Sequence, residues 1–128
     1  MDRLETPRWS EGLGTAYVVT GFTRDFWHSL AEGFTPDVRD ALQEALADKG
    51  DEDLMAEVLE RFLAVEARYS SRLSLWCRRL VGDTMLICRD ALSAQAVAAE
   101  DVEVRLEPVL TDGVALHTSR LDRLGLTA

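Results

Sequence analysis

Cysteine is scarce here, with two in 128 residues, too few to build a disulfide framework. Cys77 and Cys88 are read as small hydrophobes of a reduced, cytoplasmic protein. Placed symmetrically about the Gly82-Asp83 step, they would come to similar height if the chain folded back there. Lysine is nearly absent, one against thirteen arginines. Histidine occurs twice, and no CxxC or HxxxH spacing points to a metal. No apolar run approaches the roughly 18 residues that would span a bilayer, and "MDRLETPRW" mixes charges of both signs with no apolar stretch behind it, unlike a secretory signal.

Catalytic signatures are missing too. "GLG" at 12 to 14 lacks the third glycine of a dinucleotide fingerprint, because Tyr17 stands in its place. "DKGDED" does not follow the ligand order of a calcium loop, and Ser70, Ser71 and Ser74 have no nucleophile-elbow context. No cofactor and no metal are expected. A small enzyme using His28, with Asp25 one turn earlier as its partner, ranks third among the functional readings.

What is present is an acidic, ordinary-sized domain. The chain carries a formal charge of −9 and 47% hydrophobic residues. Its length suits a single domain, 1–128, that buries roughly two-thirds of its unfolded surface. The charge opposes nucleic acid and anionic membranes as partners and favours basic protein surfaces.

Boundary signals divide the chain. Residues 1–22 read as an N-terminal arm, although "TAYVVTGF" could be a strand or an extension of the first helix. A helical core over 23–99 opens with Thr23 as a cap and Gly33 as a stop. Thr35-Pro36 starts the next helix, to about Asp48. A long helix is expected from Asp51 to Leu80, ended by Gly82, and a fourth to about Ala99. The short turn between the second and third predicts an antiparallel helical hairpin. Val102, Val104 and Leu106 alternate with Glu103, Arg105 and Glu107, and Thr111-Asp112-Gly113 is a turn signal, so a β-hairpin is expected over 100–118 with a tail at 119–128. The fold class is therefore mainly α, about four helices with a small C-terminal β-hairpin; the alternative is an all-α bundle.

"RYSSRLSLWCRRL" at 68 to 80 is the one basic stretch, holding four of the thirteen arginines. At about 100° per residue, Arg61, Arg68, Arg72 and Arg79 form a line on the rim of an apolar face containing Phe62, Tyr69, Leu73 and Trp76, all expected to be buried. Aromatics on the core face do not interleave with the arginines as a nucleic-acid surface requires. In the second helix Asp37, Asp40, Glu44 and Asp48 line up within about 80°. Arg68 and Arg72 repel each other at i,i+4 and lie past that acidic helix, so they are solvated, pair with Asp25 or Glu32 of the first helix, or face a partner.

The leading functional reading is a non-enzymatic protein that works through protein–protein contact, as an adaptor, chaperone, inhibitor or assembly subunit. Its partner is another protein or a second copy in a homodimer, met by Arg68, Arg72 and Trp9, whose indole sits in the expected arm. The alternative is a small-ligand-binding or regulatory domain with a pocket formed by Phe22, Phe26, Trp27 and His28.

Overall fold

The computed structural model describes residues 8–94 and 99–126, with side chains described except at 92 and 99–106. Its helices are α1 (Arg8–Ala31), α2 (Pro36–Leu46), α3 (Gly50–Val65), α4 (Ser70–Ser93) and α5 (Ala99–Arg123), with a 3-10 turn (Ala67–Tyr69) leading into α4. α1 is central: α2, α3, α4 and α5 each pack on it, and α4 and α5 pack on each other. Side-chain contacts give the directions. Arg24 meets Glu52 and Trp9 meets Phe62, so α3 runs antiparallel to α1. Glu11 meets Arg72 and Thr15 meets Trp76, so α4 runs parallel to it. Phe22 lies against Gly113, and the Tyr17 hydroxyl donates to the Arg120 carbonyl, so α5 is antiparallel.

α1 is longer than its capping signals suggest. Its buried positions, Ser10, Gly14, Tyr17, Val18, Gly21, Phe22 and Asp25, recur at helical spacing. Residues 8–22 of the expected arm are therefore helix, and Thr23 is an exposed residue within it rather than a cap. Residues 1–7 of that arm lie outside the described residues.

The all-α alternative holds. Among the described residues there is no strand, and the expected hairpin over 100–118 is replaced by α5, which continues through Pro108. The alternation at 102–106 is too short a window to decide. Over the next stretch Gly113, His117, Arg120, Leu121 and Leu124 are buried at helical spacing. Gly113 is no turn residue: a Cβ there would lie 3.1 Å from the Phe22 ring, so its small size lets α5 approach α1. The expected tail at 119–128 contains the end of α5, with residues 127–128 outside the described residues.

The single helix expected over 51–80 is two. It breaks at Glu66, whose φ of −119° and ψ of 55° leave the helical region. An unbroken helix of that length would run about 45 Å; the break folds α4 back along α1. The buried face also differs from the expected one. Ala56, Leu59, Leu63, Leu73 and Cys77 fill the core with Tyr17, Val18, Leu121, Leu124 and Leu126. Of the four residues expected inside, only Leu73 is buried; Phe62 and Tyr69 are half-buried and Trp76 is 37% exposed. Where α1 and α4 meet this closely, with Leu73 against Gly14, there is room for aliphatic and small side chains, and Phe62, Tyr69 and Trp76 stand at the rim. α4 then continues through Gly82 instead of ending there. Cys77 and Cys88 thus share one helix, about 16 Å apart along its axis, and both are free thiols. Burial pushes the Cys77 thiol up to about 11.

Two glycines of similar appearance should respond oppositely to alanine. Gly82 lies in mid-helix with nothing near a new Cβ, so Gly82→Ala should stabilise by roughly 0.5–1 kcal/mol. Gly125 has φ of 71°. It caps α5 in a Schellman arrangement, with Leu126 N–H donating to the Leu121 carbonyl at 2.9 Å and Gly125 N–H to Asp122 at 2.9 Å. Gly125→Ala should cost about 1–2 kcal/mol. Urea unfolding of the two variants checks both signs.

Candidate functional site

The parallel packing of α1 and α4 leaves a cleft of about 500 Å³ lined by Glu11, Arg68, Ser71, Arg72, Leu75, Trp76 and Arg79. Its shape follows from local bonds. Thr15 Oγ1 donates to the Glu11 carbonyl at 2.8 Å and accepts from Trp76 Nε1 at 2.9 Å, which fixes the indole at the cleft wall. Arg72 Nε donates to Glu11 Oε1 at 2.9 Å. Arg68 pairs with Glu66 at 3.1 Å and lies over the Tyr69 ring. Tyr69 stacks on Phe62, and Phe62 meets Trp9 edge-on at 4.9 Å.

The structure therefore brings Trp9, Arg68 and Arg72 onto one surface, although Trp9 belongs to the first turn of α1 and not to an irregular arm. Neither arginine lacks an acidic neighbour, as the helix wheel had suggested for the second and third helices alone. Their partners are Glu66, just before the turn, and Glu11 of α1. The cleft is three arginines to one glutamate, with Leu75 65% exposed among them.

The other expected pocket residues do not share one environment. Phe22 is 2% exposed against Gly113, whereas Trp27 is 43% exposed. Phe26 and His28 are half-buried. None of the four lines the cleft. Asp25, the expected partner of His28, is instead engaged by Arg120.

That last contact belongs to a cluster which sequence reading missed. Arg24 Nη1 donates to Glu52 Oε2 at 2.5 Å, and Arg24 Nη2 to Asp51 at 3.0 Å and to the Asp48 carbonyl at 3.1 Å. Arg120 Nε donates to Glu52 Oε1 at 2.8 Å, and Arg120 Nη2 to Asp25 at 2.5 Å and to the Gly21 carbonyl at 3.0 Å. Each oxygen of Glu52 thus serves a different guanidinium. Arg24, Asp25, Glu52 and Arg120 are all buried, and their charges cancel. Burial works against the charge of Arg24, but its bonds to Asp51 and Glu52 outweigh that and its pKa rises. The Arg24 hydrogen bond, then the backbone N–H of Glu52, holds Asp51 below the usual carboxylate range. Burial and then the charge of Glu52 push Tyr17 up to about 12, so its hydroxyl stays a neutral donor. The available sequence signal was a charge at a core position of each helix: Arg24, Glu52 and Arg120 all interrupt apolar faces.

Beside this cluster His117 is 3% exposed, and neither ring nitrogen has a hydrogen-bond partner; Arg120 Nη1 also has none. Among the described residues no group of three or more His, Cys, Asp or Glu side chains is placed to hold a metal ion. Nor is any described helix long and apolar enough to cross a membrane.

Residues 2–104 match a family described as "Ferritin-like domain, actinomycetes". No curated protein matches the chain.

His117 makes the fold sensitive to acid. Burial, with Arg120 adding to it, lowers its pKa from 6.5 to about 4. The unfolded chain therefore binds a proton that the folded one refuses. This contribution is fully present above about pH 6.5 and is lost as pH falls toward about 4, with a slope of up to roughly 1.4 kcal/mol per pH unit. Urea unfolding between pH 7 and pH 5 should show this loss in the native sequence and a flatter profile in His117→Leu.

Proposed function

The chain belongs to the family of ferritin-like domains described for actinomycetes, and on this helical scaffold we propose a non-enzymatic role, that of an assembly subunit working through protein–protein contact. The observation that carries the reading is the cleft, where exposed Leu75 and Trp76 stand among Arg68, Arg72 and Arg79 on a protein of net charge −9. Interfaces favour this composition: an aromatic and arginines around an apolar centre.

The occupant proposed is α2 of a second copy. That helix buries none of its own residues. It exposes Asp37, Asp40 and Glu44 in a row beside Val38, Ala41 and Ala45, an acidic and apolar edge complementary to the cleft. Two such contacts related by a two-fold axis make a closed dimer. Trp9, 51% exposed at the edge of the same surface, would be covered with it.

Sedimentation equilibrium over a range of concentrations tests this. A dimer is expected, and Arg68→Gln/Arg72→Gln should raise its dissociation constant by about 10²- to 10⁴-fold, the loss of one charge-assisted hydrogen bond at each of the two contacts. The melting temperature should barely move, because exposed ion pairs contribute only about 0–1 kcal/mol. Asp40→Lys/Glu44→Lys in α2 should weaken association similarly. A protein monomeric at every concentration, or a dimer that neither pair of substitutions disturbs, would overturn the proposal.

A further inference from the structure

Metal-binding ferritin-like proteins build their centre from inward carboxylates, one Glu from each of two helices and a Glu-x-x-His pair from each of the other two. The present chain does not fit that requirement. It has no Glu-x-x-His: Asp25 precedes His28 at that spacing, and Val114 precedes His117. Among the described residues the buried carboxylates are Asp25 and Glu52, and they already accept from Arg120 and Arg24 at 2.5–2.8 Å. A divalent cation held by both would strip Arg120 of its two carboxylates and leave Arg24 only the exposed Asp51, which costs far more than losing an exposed pair.

We infer that in this chain the guanidinium groups of Arg24 and Arg120 do the electrostatic work of a metal pair, with Glu52 as the carboxylate bridging them. The pattern of bonds supports this. Glu52 gives one oxygen to each cation, Asp25 adds a second carboxylate to Arg120, and Asp51 adds one to Arg24. Three helices supply the groups, where the metal centre draws on four, and the cations are covalently part of the chain. The network closes through residue 120, beyond the 2–104 span of the family match, so the substitution rests on this chain's own α5. Gly21 fits the same picture, because any side chain there would collide with the Arg120 guanidinium. The interior is thus a neutral lock that needs no metal to form.

Two arms test the inference on the full chain. The native protein, purified with chelator and titrated anaerobically with Fe(II), and separately with Mn(II) or Zn(II), should retain no stoichiometric metal after gel filtration and show no change in melting temperature. In Arg24→Met/Arg120→Met the carboxylates lose their counter-charges, so the melting temperature should fall steeply, and Mn(II) or Zn(II) should raise it by several degrees. If that variant does not fold, Arg24→Met carries the same arm, since it frees the half-exposed Asp51 beside Glu52. Stoichiometric metal on the native protein that is lost in Glu52→Gln would overturn the inference. So would arginine variants whose melting temperature ignores the metals.

Discussion

Arg120 is the constraint around which the interior is arranged. Its guanidinium is 8% exposed, and a buried cation without its partners would cost about 3–5 kcal/mol. α1, α3 and the end of α5 must therefore meet in one register, the one that brings Asp25, Glu52 and the Gly21 carbonyl to it. The demand propagates outward. Arg24, sharing Glu52, ties the first turn of α3 to α1 through Asp51 and the Asp48 carbonyl. Tyr17 ties the Arg120 backbone from the other side. An apolar core of the same volume could match this network in net stability; what the charges add is a heavy penalty on any slip between helices.

α4 is held by a different kind of contact. It rests on α1 through Leu73 and Cys77 against Gly14, and at the surface through Trp76 on Thr15 and Arg72 on Glu11. None of these is a buried charge. The break at Glu66 returns the chain so that α4 runs beside α1 in the same direction, and Trp9, Phe62, Tyr69 and Trp76 line the rim. The cleft is a consequence of that arrangement: Gly14 and Leu73 meet inside the α1–α4 seam, and Trp76, Arg68, Arg72 and Arg79 are left at its edge.

The sequence carried the helical class, the Thr35-Pro36 start of α2 and the basic character of 68–80, because these rest on short-range signals. It failed where packing overrode local pattern. Thr23 was read as the cap that starts the first helix, which left 1–22 as an arm, yet within that stretch Gly14 and Gly21 are sites of close approach to Leu73 and Arg120. Gly113 imitated a turn for the same reason. Val102, Val104 and Leu106 alternated as in a strand, while the helical face of α5 is written later, at His117, Leu121 and Leu124. The Glu66 break had no proline or glycine to announce it. The grouping of Arg68, Arg72 and Arg79 was legible, but Arg61, expected in the same line, stays on α3 with Glu57, and the partner Glu11 was not legible, since only the parallel docking of α4 on α1 brings it to Arg72.

The two groups of arginines show how burial decides what one side chain can do. Arg24 and Arg120, out of water, have lost the freedom to meet anything but the carboxylates that share their enclosure, and any new anion or cation must compete with bonds strengthened by the low dielectric. Arg68 and Arg72 have side chains 61% and 60% exposed, and their pairs with Glu66 and Glu11 are screened by solvent, so exchanging those partners for an acidic surface costs little. The inner pair is therefore suited to hold the bundle in one register without a metal, and the outer pair to give that bundle a surface on which another can dock.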